Sequence, residues 1–168
     1  MKHQKATETG GAPAIVRFLP EDRFCKRAAD LRELIARRAY ELFADSGFTH
    51  GHDFEDWLRA ESQLLSVPSL EVSKSPDAIT IKAALPGYSA NDIEIHVEPL
   101  RLFISGQQRE ESEGSQRHAV KSEQRLNRIF RSVDLPAQID PEKVRARFSN
   151  GELQIVLPRV ADAMKAAA

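Results

Sequence analysis

The densest group of metal-ligating residues in the chain is His50-Gly51-His52-Asp53. Two imidazoles and a carboxylate at this spacing could supply part of a zinc site, which normally takes four ligands. None of the other three histidines lies close enough in the sequence to complete the set locally. We therefore favour a loop between two helices, with Asp53 as the N-cap of the second, over a metal protein built on His50, His52 and Asp53.

No catalytic centre can be assembled from the remaining reactive residues. Cys25 is the single cysteine, and no base to activate it can be identified. Glu110, Glu111 and Glu113 lie in a polar stretch, where water would make them poor general acids. Phosphate-binding loops, dinucleotide fingerprints and nucleophile elbows are absent from the sequence. These observations predict a protein that is not an enzyme and needs no cofactor.

Composition and charge exclude several classes of partner. In 168 residues, 24 Lys and Arg nearly balance 25 Asp and Glu, whereas binding to nucleic acid by bulk charge needs a basic excess. The sequence has no apolar run near the roughly 18 residues that would span a bilayer, and it begins without the apolar stretch of a secretory signal. We therefore expect a cytoplasmic protein with no nucleic-acid or membrane partner.

The first predicted segment of the chain is an N-terminal arm. Residues 1–20 lack periodicity and contain the breaker Gly10-Gly11, which predicts a mobile segment. Ile15, Val16 and Phe18 nevertheless form a small apolar cluster. Such a cluster is either a docking segment or an anchor to the arm's own domain, and the sequence leaves both open.

Residues 21–66 predict a helical hairpin. Apolar residues recur at three- and four-residue spacing from Leu31 to Phe43, and Gly47 is suited to end the helix. A second amphipathic helix is predicted from Asp53, with Asp56 as its capping-box partner. Two such helices joined by about eight residues should pack their apolar faces together.

From residue 67 to residue 160 the hydrophobic period changes from 3.6 to 2. Short alternating runs separated by turn residues, such as Asn150-Gly151, are typical of an antiparallel, immunoglobulin-like β-sandwich. The fold prediction is therefore mainly β, with the helical hairpin before the sandwich and a short tail at 161–168. The polar stretch 107–119 is long for a loop in a compact domain, which suggests a role in function or assembly.

Three separated motifs in this region resemble the α-crystallin domain of the small heat shock proteins. The segment 146–158, ARFSNGELQIVLP, resembles the closing signature A-x-x-x-N-G-x-L-x-I-x-x-P. Upstream, Ala84-Leu85-Pro86-Gly87 with Asp92-Ile93 resembles the strand junction of the family, and 130–136 resembles its arginine-bearing strand. Residues 36–65 resemble a bacterial helical domain of unknown function.

The resemblance implies an ATP-independent holdase that binds unfolding client proteins and slows their aggregation. It places the client groove between two strands, the first with Ile93, Ile95 and Val97 and the second with Val144, Ala146 and Phe148. An adaptor or co-chaperone that binds one folded partner is the alternative.

The resemblance also implies a homodimer as the basic unit. Arg131 matches the interface arginine of the family, and Glu110, Glu111 and Glu113 would be its partners from the other subunit. The tail lacks the I-x-I or I-x-V motif that builds large oligomers in the family. Val16 and Phe18 have the same spacing and could substitute for that motif, so assembly beyond the dimer stays open.

Overall fold

The computed structural model describes residues 14–108 and 128–160. These residues form two helices and ten strands, and two short 3₁₀ helices at Ala90–Asp92 and Pro141–Lys143. The helices and strands are, in chain order, β1 (Ala14–Ile15), β2 (Arg17–Phe18), α1 (Glu21–Asp45), α2 (Asp53–Leu64), β3 (Leu65–Ser66), β4 (Ser69–Lys74), β5 (Ala78–Ala84), β6 (Ile93–Glu98), β7 (Arg101–Gln107), β8 (Arg128–Asp134), β9 (Arg145–Ser149) and β10 (Glu152–Pro158).

The strands form two five-stranded sheets that face each other. The first sheet has the order β1-β9-β10-β5-β4, and the second has the order β2-β6-β7-β8-β3. The long strands pair antiparallel, whereas the two-residue strands β2 and β3 pair parallel to β6 and β8. The predicted mainly β sandwich preceded by helices is therefore confirmed.

Alternating aliphatic side chains from both sheets fill the space between them. Ile79 and Ile81 of β5 and Ile155 of β10 are fully buried, as are the inward residues of β6 and β7. Burying one such side chain contributes about 1.5–3 kcal/mol, so this core is the main source of stability. The turn between β9 and β10 is Asn150-Gly151 with φ of 49° and 75°, which matches the right-handed twist of the hairpin strands.

The two helices form the predicted hairpin around a smaller core. Ile35, Leu42 and Ala60 are buried between them, and Trp57 packs against this cluster. Arg38 Nε also donates a hydrogen bond to Gln63 Oε1 at 2.8 Å, which joins the helices outside the cluster. The hairpin therefore buries far less apolar surface than the sandwich.

The predicted cap of α2 is wrong. His52 occupies the cap position without a side-chain capping bond, and Asp53 is the first helical residue. The His52 ring instead lies 3.0 Å from Glu55 Oε2 through Nδ1. Asp53, Glu55 and Asp56 in the first turn complement the positive end of the helix dipole, so the helix begins there without the capping box.

The described part of the predicted N-terminal arm is paired with the sandwich. Residues 14–18 form β1 and β2, which extend one sheet each, and Leu19 is buried beyond them. The prediction of a mobile segment failed here because β6 and β9 leave unpaired backbone groups at the sheet edges, and a nearby extended apolar segment can satisfy them. Such a contact between distant parts of the chain leaves no local pattern in the sequence.

Candidate functional site

The predicted groove lies at one side of the sandwich, where β6 and β9 are the outermost long strands of their sheets. Ile93 and Ile95 of β6 are fully buried, and Ala146 and Phe148 of β9 are nearly so. The structure thus brings the two predicted strands to the same side, each with its apolar side chains turned inward.

The arm of the same chain occupies this groove. Ala14 and Ile15 pair with Phe148 and Arg147 of β9, and the chain then crosses to pair with β6. Between the two pairings, the side chain of Val16 enters the sandwich core and is only 1% exposed. The arm is therefore an anchor in its own domain, which is one of the two outcomes that the sequence left open.

The other two residues of the predicted docking arm do not enter the core. Ile15 is 85% exposed, because neighbouring residues of an extended segment point to opposite sides, and Phe18 in β2 is 40% exposed. Leu19 follows with its N–H donating to the Ile95 carbonyl at 2.8 Å, and its side chain is buried. Val16 alone thus makes the deep apolar contact among the three predicted residues.

One end of the groove extends beyond the arm. Val97, near the end of β6, is half-buried, and Val144 precedes β9 at the end of the second 3₁₀ helix. A separate open depression of about 460 Å³ lies beside Val144, between the second 3₁₀ helix and β10, and β6 does not line it. The six predicted groove residues therefore divide between the part that the arm covers and a part that β1 and β2 leave unpaired.

The outward face of β6 carries a buried charge that the sequence did not reveal. Glu94 is 8% exposed, with Oε2 at 2.8 Å from Arg27 Nη2 of α1 and Oε1 at 3.7 Å from Arg17 Nη1 of the arm. Alternation with the inward Ile93 and Ile95 places Glu94 on the outer face of β6, where α1 covers it. A buried carboxylate of this kind needs partners of opposite charge, and it has two.

His96 lies next to Glu94 on the same face and meets the same two segments. Its Nδ1 lies 3.0 Å from the Leu19 carbonyl oxygen, which as an acceptor requires the proton on that nitrogen. Its ring stacks on Phe24 of α1 with centroids 4.3 Å apart, and Phe24 also contacts Phe103 at 4.4 Å. The start of α1 is therefore docked on the outer face of the second sheet through aromatic rings.

The predicted dimer contacts fall partly outside the described residues. Arg131 lies in β8 opposite Ile104, and its side chain is exposed and forms no ion pair with the described part of the chain. Glu110, Glu111 and Glu113 lie outside the described residues. Their pairing with Arg131 in a second subunit remains a prediction.

The other candidate residues are dispersed. The His50 ring contacts Phe43, with centroids 5.4 Å apart, and Cys25 is exposed on α1. Residues 14–108 and 128–160 contain no cluster of three or more histidine, cysteine or acidic side chains with metal-site geometry. In the same ranges, neither helix combines the length and the apolarity needed to cross a membrane.

Two protein families match this chain, and together they cover nearly all of it from residue 30 onward. Residues 71–167 match the model of the Hsp20/alpha crystallin family, and residues 30–66 match a family described as a protein of unknown function (DUF2934). The two matches do not overlap, and residues 67–70 lie between them.

Individual relatives match more than half of the chain. Heat shock protein 16 of Schizosaccharomyces pombe is 36% identical over 98 residues, which are 55% of this chain and 66% of that protein. Small heat shock protein C2 of Rickettsia felis is 29% identical over 127 residues, which are 76% of this chain and 81% of that protein. A solved structure of heat shock protein 16.0 from S. pombe has a TM-score of 0.47 at 34% identity, and covers 58% of this chain and 91% of that one.

Proposed function

The chain belongs to the Hsp20/alpha crystallin family, and on that premise we propose that it is a chaperone of the holdase type. It binds segments of unfolding client proteins without ATP and keeps them from aggregating. The client segments enter the groove between β6 and β9, where Ile93, Ile95, Val97, Val144, Ala146 and Phe148 form the apolar wall.

One observation carries this proposal: the groove already holds an extended apolar segment. The arm pairs through its backbone with both edge strands, and Val16 fills the space between them. Backbone pairing gives affinity for any extended chain, and an apolar pocket selects segments with an aliphatic residue. A client segment with the same alternation would satisfy the same groups.

The occupied groove makes client binding a competition with the arm. A single aliphatic anchor contributes about 1.5–3 kcal/mol, which supports only weak binding once ordering is subtracted. The apparent affinity is also lowered by the fraction of molecules with the arm in place. Useful capture therefore requires several grooves acting on one client, as in an oligomer.

We propose a dimer as the basic oligomer, formed through the stretch 107–119. In this arrangement Arg131 of one subunit meets Glu110, Glu111 and Glu113 of its partner. Arg131 is exposed and forms no ion pair within the described residues, so its charge is available to a second subunit. Arg131→Ala should lower the mass in light scattering from that of a dimer towards that of a monomer, whereas a dimer unchanged in affinity would contradict this interface.

Turbidity of a heat-aggregating client with increasing amounts of the chain, and no nucleotide, tests the holdase proposal. We expect suppression at near-stoichiometric ratios. Val16→Asp should suppress at a lower ratio, because a carboxylate is expelled from the core and opens the groove. Ile15→Asp is the matched control, since the same charge one residue away stays in water.

A folded wild-type chain that suppresses no aggregation would contradict the holdase proposal. It would favour an adaptor that binds one folded partner instead.

A further inference from the structure

The two faces of β6 contact two different segments of the chain. Its inward residues line the groove under the arm, whereas Glu94 and His96 point outward beneath α1. We name the outward surface formed by Glu94, His96, Phe103 and Phe130 the aromatic cradle. The cradle crosses β6, β7 and β8, so it covers much of the outer face of the second sheet.

Phe24 and Arg27 of α1 occupy the cradle. The Phe24 ring stacks on His96 and contacts Phe103, and it lies 6.1 Å from Phe130 by ring centroids. Arg27, one helical turn later and therefore on the same helix face, pairs with Glu94 at 2.8 Å. The cradle thus binds an aromatic side chain and a cation one helical turn apart.

The docking of α1 on this sheet is incomplete. Next to Phe130 an open cavity of about 280 Å³ remains between α1 and strands β7 and β8, with Leu31, Leu34 and Ile129 in its wall. Well-packed interiors leave few voids larger than a water molecule. Nε of Arg128 at this cavity is buried and has no hydrogen-bond partner in the described residues. The cavity therefore leaves room beside α1 on this face of the sheet.

Release of the arm would loosen the cradle as well. The Leu19 carbonyl holds His96, and Arg17 supplies the second cation at Glu94, so both contacts leave with the arm. The segment from residue 14 to Arg27 is short and crosses the groove and the cradle in turn. Opening the first therefore weakens the hold of α1 on the second.

From these contacts we propose that the aromatic cradle is a second client-binding surface. It accepts a polypeptide segment that carries an aromatic residue with an arginine or lysine one helical turn away. Phe24 and Arg27 fill it until the arm is released. This inference rests on the proposed holdase function and adds a site on the opposite face of β6.

The first test measures binding of a fluorescent peptide with the sequence of residues 20–31 to the full chain by anisotropy. In the wild type the internal segment competes with the peptide. Phe24→Ala should bind the peptide at least about tenfold more tightly, because the internal competitor has lost its ring. Phe54→Ala is the matched control, since Phe54 lies on α2, is 73% exposed, and shares no ring contact with the cradle.

Two further variants establish where the peptide binds. Adding Phe130→Ser to Phe24→Ala should abolish the gain, and a peptide with Arg27→Ala should bind several-fold more weakly than the unaltered peptide. Thermal unfolding verifies that each variant remains folded. If Phe24→Ala binds the peptide no better than Phe54→Ala, or if Phe130→Ser leaves the gain intact, the cradle is not a binding surface.

The client role is tested by turbidity with the same variants. Phe24→Ala should suppress aggregation at a lower ratio than the wild type, and excess peptide should reverse that gain. Tight peptide binding without any change in client capture would overturn the proposal, since the cradle would then serve only the chain's own helix. Failure of the holdase proposal gives a different result, because the wild-type chain itself would then not suppress aggregation.

Discussion

The sandwich and the helical hairpin differ in how completely they bury their apolar side chains. In the sandwich, residues such as Ile79, Ile81 and Ile155 are fully removed from water by a second sheet. In the hairpin, the buried core is Ile35, Leu42 and Ala60, and large apolar side chains remain outside it. The exposed ones on the helices and their loop are Tyr40, Phe48, Phe54 and Leu58.

This difference indicates that the sandwich is the stable scaffold and the hairpin a marginal unit attached to it. Two helices alone bury too little surface to be stable, so the hairpin depends on α1 continuing onto the sheet through Phe24. Local opening is expected first where few apolar contacts hold a segment. In this chain those segments are the arm and the helices, which cover the two proposed binding faces.

The largest effect is expected from a cavity in the sandwich. Ile155→Ala should lower the free energy of unfolding by about 2–5 kcal/mol, because Ile155 lies at the centre of β10 between β5 and β9. Urea unfolding followed by far-UV circular dichroism measures this change. Ile155→Val is the milder control, with an expected loss of about 0.5–1.5 kcal/mol. Equal losses for the two variants would contradict a tightly packed core.

A cavity in the hairpin should cost less and act locally. Leu42→Ala should lower the stability of the hairpin by about 2 kcal/mol, at the low end for such changes because few side chains surround it. Trp57 is the single tryptophan and packs on this core, so its fluorescence follows the hairpin alone. We expect its transition to move to lower urea while the circular dichroism of the strands does not move.

If both signals shifted together, the hairpin and the sandwich would unfold as one cooperative unit. That result would remove the proposed difference between the two regions.

A charge introduced into the arm should cost less free energy than a cavity in either core. Val16→Asp should remove about 1.5 kcal/mol of arm docking, and the loss is limited because the arm can leave without unfolding the sandwich. Hydrogen exchange at the Leu19 amide, which donates to the Ile95 carbonyl, measures the release. Ile15→Asp should leave that amide protected, and protection that also survives Val16→Asp would show that Val16 does not hold the arm.

The smallest effect is a pH dependence within the sandwich. Burial, with a contribution from Asp92, raises the pKa of Tyr88 above its ordinary value of 10.0. The unfolded chain then loses this proton at lower pH than the folded chain, so stability from this group is complete below pH 10.0 and is lost as pH rises from there through the folded pKa. Urea unfolding from pH 8 to pH 11 should show a steeper alkaline loss for the wild type than for Tyr88→Phe.

Tyr40→Phe removes a phenol hydroxyl from the exposed surface of the hairpin and is the matched control for that series. An alkaline loss as steep in Tyr88→Phe as in the wild type would contradict the assignment to Tyr88.

Local patterns were sufficient to predict most of the elements. Alternating aliphatic residues predicted the long strands, because the period of two places the same face inward wherever a strand forms. Asn150-Gly151 predicted the last hairpin, since these residues tolerate the positive φ that its turn requires. The motif of 146–158 indicated the family that the match over residues 71–167 confirms.

Residues whose environment depends on distant segments were predicted less well. The alternation around Glu94 and His96 places both side chains on the outer face of β6, and it could not show that α1 covers them. The sequence does hold a signal for this contact. Phe24 and Arg27 lie one turn apart on α1, so an aromatic ring and a cation share one helix face and could pair with the outward Glu94 of a strand. Asp53 was assigned to the cap because it is a good capping residue, whereas His52 occupies the cap and Asp53 is already helical.

The sequence by itself determined the order of helices and strands, the inward faces of the strands, and the family, because each of these depends on residues close together in the chain. The tertiary structure decided that the arm fills the groove of its own domain and that α1 covers the outer face of β6. Both outcomes are contacts between residues about 70 to 130 positions apart, such as Ala14 opposite Phe148 and Phe24 on His96. They depend on which edges and faces the folded sheets leave open, and that is fixed only when the sheets have formed.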